Sequence, residues 1–369
     1  MMDCDALWFW FHEAPGITRN TKHKLLKVYE NPQMIFGLNE EKLSAYFRGQ
    51  SNLERFLASR NEEQILNGFD QLEKKNIRFV HMHSTEYPDC FKEISDSPIG
   101  FYLKGNMPSF TVPRVAIIGA RDCTRYGSEM ARFFGRELGK ASVQIISGLA
   151  RGIDGMAHVG ALEANAYTIG VLGCGIDGIY PDENYRIFMD MQEKGGILSE
   201  YGLGVKPNPG LFPHRNRLIS ALADGILVVE AMEKSGTFIT VDQGLEQGKE
   251  IFALPGRLID VKSRGCNELI RMGAHVVTEV NDILEILRVQ NANQMKIADF
   301  IDSDSFVHKN LLAPNEKIVY SCLRVEPQYL DEIIAKAQIA PQEVCMALNR
   351  LAVIGGAVET TRNYYALKL

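Results

Sequence analysis

The sequence predicts an α/β protein built on an open, doubly wound parallel sheet, with a helical segment before it and a small helical module after it. Three observations carry this. Between residues 114 and 277, short apolar runs alternate with longer stretches of helical period. The runs are apolar almost throughout, as strands covered on both faces should be. The turns that follow them combine glycine with helix-capping residues.

Residues 1–85 read as a helical domain. Leu25, Leu26, Val28 and Tyr29, then Leu53, Phe56 and Leu57, recur at helical spacing. The stretch PGITRNTKHKLLKVYENPQMIFGLNEEKL holds a glycine turn, an amphipathic helix and a second helix capped by Asn39, with glutamates in its first turn. This layout resembles a helix-hairpin-helix or SAM-like domain, whose backbone N–H groups can face phosphate; a small protein-contact bundle fits equally well. Residues 86–289 form the central domain. Strands are expected at 114–119, 143–147, 168–172, near 197–200, 226–231, 250–254 and 274–277. Helices are expected at 127–140, 154–165, 182–194, 216–223, 237–247 and 267–272. Residues 290–314 are polar with little periodicity and read as a linker. Residues 315–369 hold three helical patterns, NEKIVYSCLR, QYLDEIIAKA and PQEVCMALNRLAV, and then a hairpin, the layout of a winged helix.

Bulk composition narrows the function. Apolar residues make up 46% and charged residues 23%, the profile of an ordinary globular chain. The seven cysteines are scattered, with no C-x-x-C pair. That argues against structural zinc and a disulfide framework, and for a reducing cytoplasm. The N-terminal residues lack a signal-peptide pattern, and no run of eighteen apolar residues suggests a membrane span. Net charge is −6, spread evenly along the chain. Any anion binding must therefore come from arginines placed locally.

Those arginines stand where a doubly wound sheet binds its ligands, beyond the carboxyl ends of the strands. The first strand closes in VAIIGARDCTRYG, giving Gly119, Arg121 and Arg125. The second closes in SGLARGIDGMAH, giving Arg151 and Gly152. FPHRNRLIS places Arg215, Asn216 and Arg217 just before a helix, and Ser235, Gly236 and Thr237 open the next one. Helix N-termini, glycine turns and guanidinium forks together favour phosphate. A dinucleotide fold would need glycine at position 121 and an acid at the end of the second strand. Here those places hold Arg121 and the pair Ser147–Gly148, so no nicotinamide or flavin cofactor is expected. Arg125 taken alone reads as a surface residue. Asp154 reads as a helix N-cap, and His158 and His214 as packing or surface residues. Glu230 and Glu246 follow no catalytic pattern. Tyr126 and Phe212 are candidate stacking platforms or plain packing.

Taken together these segments resemble the DprA/Smf family, the DNA-processing protein A of bacteria. The match runs in the family's order through 115–277, most specifically in SGLARGID and FPHRNR, and includes GVLGCGIDGIYPDEN, SGTFITVDQGLEQGKEIFALPG and GCNELIRMGAHVV. The resemblance implies a Rossmann-like domain that binds single-stranded DNA, dimerises, and helps load RecA recombinase, notably in natural transformation. It places Arg121, Arg151, Arg215, Asn216, Arg217, Ser235 and Thr237 around the DNA pocket, and implies no enzymatic step. One departure stands out. The turn after the third strand often carries a basic residue after Tyr-Pro in this family; here Asp182 and Glu183 follow. On this reading, Arg215→Ala and Arg217→Ala lose single-strand affinity without loss of fold. The alternative is a nucleotide-acting hydrolase of the phosphoribohydrolase kind, which would need a glutamate where Thr237 and Phe238 stand. A regulator reading duplex DNA through the C-terminal module is poorly equipped, with Arg350 set against Glu343 on its recognition helix.

Overall fold

The structure, a computed structural model, describes residues 2–287, 312–354 and 356–367. The chain divides into two compact units, Met1–Asn291 and Ala292–Leu369. Most of the expected linker lies outside the described residues.

The first unit opens with six helices: α1 Cys4–Glu13, α2 Arg19–Tyr29, α3 Pro32–Phe36, α4 Glu40–Ser44, α5 Gln50–Ala58 and α6 Glu62–Lys74. Their caps are written in the sequence. The side chains of Thr18, Asn31, Asn39 and Asn61 each accept from a backbone N–H in the first turn that follows. Trp8, Trp10, Phe11, Leu25, Ile35 and Phe56 fill the space between them.

The sheet begins earlier than expected. β1 (Arg78–His81) lies inside the stretch read as helical. After α7 (Asp89–Lys92) comes β2 (Gly100–Gly105), for which no strand was expected. Then follow β3 Arg114–Ile118, α8 Arg125–Lys140, β4 Gln144–Ser147, α9 Ile153–Glu163, β5 Thr168–Gly175, α10 Tyr185–Lys194, β6 Gly196–Tyr201, α11 Leu211–Leu222, β7 Gly225–Val228, α12 Thr237–Glu246, β8 Glu250–Ala253, α13 Arg264–Arg271, β9 His275–Val276 and α14 Val280–Ile286. The strand order is β1-β2-β6-β5-β4-β3-β7-β8-β9. The seven strands from β6 to β9 in that order run parallel, while β1 and β2 are antiparallel additions at one edge. The sheet is therefore mixed and Rossmann-like. β1 and β2 escaped because each is a short run flanked by turn residues, without the βα rhythm that marked the others.

Side chains alternate across this sheet. Ala116, Ile118, Ile146 and Val171 pack against Leu218 and Leu222 of α11 and Val241 of α12. Leu172, Cys174 and Ile197 turn the other way, toward Phe188 and Met191 of α10. On that second face α8 and α9 approach closely because two glycines let them. A Cβ at Gly160 would collide with the Arg132 carbonyl oxygen and stand 2.8 Å from the Arg136 nitrogen. Gly160→Ala is expected to lower stability by about 1–2 kcal/mol, because forcing two helix backbones apart outweighs the helix-propensity gain of alanine. Urea unfolding checks this; an unchanged midpoint would refute the close-packing argument.

The second unit contains α15 Pro314–Cys322, β10 Gln328–Tyr329, α16 Leu330–Ala337, α17 Pro341–Val353, β11 Ala357–Thr361 and β12 Tyr364–Leu367. The strands form an antiparallel sheet in the order β10-β12-β11. Val319, Ile333, Val344, Leu348 and Leu351 make its core. Among the described residues of the chain, no helix is long and apolar enough to cross a membrane.

Candidate nucleic-acid interface

The sheet reverses direction between β3 and β7. From β3 the chain winds outward through β4, β5 and β6, then crosses back to β7 on the other side of β3. A crevice opens beyond the carboxyl ends at such a switch point. The turn after β3 starts with Gly119, where a Cβ would stand 2.7 Å from Ile153 Cγ1 and 2.8 Å from the Glu230 carbonyl oxygen. Ala120 N donates to that same carbonyl, at 2.8 Å. Gly152 supports the turn from below. Its φ is +76°, and a Cβ there would meet the carbonyl oxygens of Ala120 and Arg121 at 2.5 and 2.6 Å. Two glycines thus hold the backbone that aims Arg121.

Arg121 is exposed, and its guanidinium lies 4.8 Å from the centre of the Phe212 ring. It has no carboxylate partner among the described residues. Tyr180, from the turn after β5, stacks on Phe212 with ring centres 5.8 Å apart and an interplanar angle of 27°. On one side of this aromatic pair is a cavity of about 680 Å³ bounded by Gly119, Arg121, Arg215 and Asn216, and by Ser235, Gly236 and Thr237 at the start of α12. Lys234 and Lys262 also border it, the latter with its Nζ 3.0 Å from Asp122 Oδ2. On the other side a cavity of about 430 Å³ shares Arg121, Tyr180, Phe212 and Arg215, and adds Arg151, Asp182 and Glu183.

The FPHRNR segment behaves differently from expectation. α11 starts at Leu211, not 216, so these residues sit within its first two turns. Positions 215 and 217 are about 200° apart around a helix and face opposite ways. Arg215 faces the cavities but is only 3% exposed. Its Nη1 donates to the carbonyls of Gly148, at 2.7 Å, and Val171, and its Nε to Asn216 Oδ1 at 3.2 Å. Burial lowers its pKa to about 10, against the pull of Asp154. Nη2 makes no hydrogen bond with the described residues. Arg217 is not brought to the cavities at all. Its Nη2 donates to Glu200 at 2.8 Å and its Nε to Asp96 at 3.2 Å. Burial opposes its charge, but Glu200 and Asp96 prevail and raise its pKa. Against the expectation that it joins Arg215 at the crevice, Arg217 sits as a buried cation between Glu200 and Asp96.

Other expectations shift as well. Arg151 is exposed, as expected, yet its Nε donates to Glu183 Oε1 at 2.7 Å, and that bond raises its pKa. Arg125 begins α8 and borders neither cavity. Tyr126 borders neither, whereas Phe212 borders both. Asp154 does not cap α9; Gly152 holds that place. Instead its Oδ2 accepts from Gly148 N at 3.0 Å, and burial raises its pKa while Arg215 holds it down. His158 is buried, with Nδ1 2.7 Å from Thr168 Oγ1 and its pKa lowered to about 3 by burial. His214 stands 3.6 Å from Asp96, on the far face of α11 with Arg217. Glu230 is buried and accepts from the backbone N–H, at 2.8 Å, and hydroxyl of Thr124. Glu246 lies on Arg217's side of the fold, so the two glutamates do not form a pair. Tyr180, Lys234 and Lys262 were missed. Lys234 adjoins Ser235 and was within reach of the turn argument. Lys262 comes from the loop after β8, where nothing local announces it.

A profile of the DNA recombination-mediator protein A family matches residues 78–288, more than half of the chain. Protein Smf of Synechocystis is 32% identical over 335 residues, spanning 83% of this chain and 84% of the relative. Among solved structures, DNA processing protein A from Streptococcus pneumoniae superposes with a TM-score of 0.68 and 30% identity, over 79% of this chain and all of that one. DNA processing protein A from Helicobacter pylori, whose structure concerns its single-stranded DNA binding mode, gives a TM-score of 0.52 and 33% identity over 57% of this chain and 96% of that one.

Proposed function

Because the chain belongs to the DNA recombination-mediator protein A family, we propose that it binds single-stranded DNA across the carboxyl ends of β3, β5 and β7, without a covalent step, and delivers it to a RecA-type recombinase as a homodimer. Natural transformation is the setting that the family implies. The observation that carries the binding claim is Arg121, an exposed cation with no carboxylate partner among the described residues, which stands over an aromatic ring where the two cavities meet. A strand offers what such a place attracts, phosphates for the guanidinium and base faces for Phe212 and Tyr180. The start of α12 adds the positive end of a helix dipole and Lys234 adds charge, while Lys262 is paired with Asp122 at 3.0 Å. The Helicobacter pylori relative supports a single-stranded ligand.

The hydrolase reading loses support from Glu230. That carboxylate, just after β7, is spent on fixing Thr124 at the head of α8. The helices before the sheet are read as a helix-hairpin-helix or SAM-like domain. The second unit is read as a winged helix that meets a partner rather than duplex DNA. Its Arg350 already pairs with Glu316 at 3.1 Å.

Fluorescence anisotropy with a labelled 20-nucleotide strand and its duplex, each at 50 and 200 mM salt, tests the reading. Preferential binding of the single strand is expected, with a log–log salt slope of about −0.7 per phosphate engaged. Equal affinity for duplex, a flat salt response, or release of free base from nucleoside monophosphates would each sink it.

A further inference from the structure

Besides Lys262, which pairs with Asp122 at 3.0 Å, a second cation of the interface is already occupied. Arg151 donates to Glu183 at 2.7 Å, and both border the 430 Å³ cavity. An exposed pair of this kind is usually loose, because two long side chains must be ordered to make it. Here the order is built in. Asn184, buried next to Glu183, donates through its side-chain amide to the carbonyls of Leu149 and Ala150, at 3.1 and 3.0 Å. The turn that carries the acid is thereby pinned to the turn that carries the arginine. Asp182 lies on the same lip and adds a second negative charge. No such carboxylate stands against Arg121 among the described residues.

We propose that Glu183 is a specificity-determining residue of the single-strand site, an internal anion that holds Arg151 and must be displaced before a strand phosphate can use it. This rests on the single-strand reading above and adds a regulation to it. While the Arg151–Glu183 pair is intact, a strand is gripped through Arg121 and the β3/β7 side. The cavity beside β5 engages only when a phosphate outcompetes the carboxylate. The phosphate and the carboxylate exchange as hydrogen-bond acceptors of one guanidinium, so no covalent bond is made or broken and no proton moves.

The test uses the full chain, a labelled dT20 strand and a salt titration. Glu183→Gln keeps the size of the side chain and removes its charge. It should tighten binding roughly fivefold and steepen the salt slope by about 0.7, the mark of one additional phosphate contact. Glu193→Gln, at the far end of α10, makes the same change in net charge and should do neither. Arg151→Ala should weaken the native protein little but abolish the gain in the Glu183→Gln background. Asn184→Ala should reproduce part of the gain by unpinning the acidic turn. If Glu183→Gln and Glu193→Gln behave alike, or Arg151→Ala costs the native protein as much as loss of Arg121, the latch is wrong while the single-strand reading stands. Failure of the native protein to bind dT20 would remove both.

Discussion

Arg217→Ala should destabilise the first unit by about 3 kcal/mol and lower its melting temperature by several degrees, while the protein that remains folded binds single-stranded DNA as before. The size follows from what the substitution uncovers. Glu200 and Arg217 are 6% and 5% exposed, and the guanidinium is the cation that neutralises that carboxylate from α11. Removing one member of a buried pair strands the other in a medium that solvates it poorly. Arg19 stays 3.2 Å from Glu200 and softens the loss, which keeps the figure at the lower end for buried pairs. Asp96 is the second casualty. Burial pushes its pKa up, but Arg19 and Arg217 outweigh that and hold it below the ordinary carboxylate value. A carboxylate depressed in the folded state stabilises above its unfolded pKa of about 3.9 and loses that contribution as pH falls through the folded value. The variant should therefore show a smaller drop in stability than the native protein on going from pH 5 to pH 3. Thermal unfolding paired with anisotropy decides the matter; a variant that melts normally yet fails to bind would return Arg217 to the DNA.

Arg121→Ala should do the reverse. The side chain is exposed and packs over Phe212, so the fold should melt within about a degree of the native protein. Affinity for a single strand should fall roughly tenfold or more, since a charge-assisted phosphate contact and a cation–π platform go together. The salt slope should shrink by about 0.7. Arg121→Lys should recover the slope better than the affinity, because an ammonium supplies the charge but not the planar face. Arg125→Ala is the matched control, four residues on and bordering neither cavity, and should change nothing measurable. Equal effects at positions 121 and 125 would mean that general basicity, not this site, attracts the strand.

The parallel core was legible because its code is local. Apolar runs such as those ending at Ile118 and Ser147, each followed by a glycine turn and a helical period, can be read one at a time. The gathering of Arg121, Ser235 and Thr237 was legible for the same reason, since each follows a strand and the topology puts those ends together. The fate of Arg217 was not. Whether a helix starts at residue 211 or 216 decides which of two arginines faces the crevice, and periodicity alone does not fix a helix's first turn. Its partners, Asp96 and Glu200, come from distant parts of the chain, and no spacing rule joins them. Arg151 was placed correctly and its occupancy by Glu183 was not foreseen, although the unusual Asp182–Glu183 turn had been singled out. β1 and β2 stayed hidden because an edge strand owes its pairing to neighbours more than to its own residues.

α11 works on two sides at once. It presents Arg215 inward to the crevice and Arg217 outward to an acidic seam that α1 and α2 help to close, through His12 Nε2 at 2.9 Å from the Glu200 carbonyl and Arg19 at 2.6 Å from Asp96. A chain trimmed of its first two helices would leave that seam half open and the rod beneath it unbraced. A fall in DNA affinity after such trimming would then register a sprung support rather than a missing handhold. Restoring the brace with a charge-free seam, Glu200→Gln together with Arg217→Met, is the way to tell one from the other.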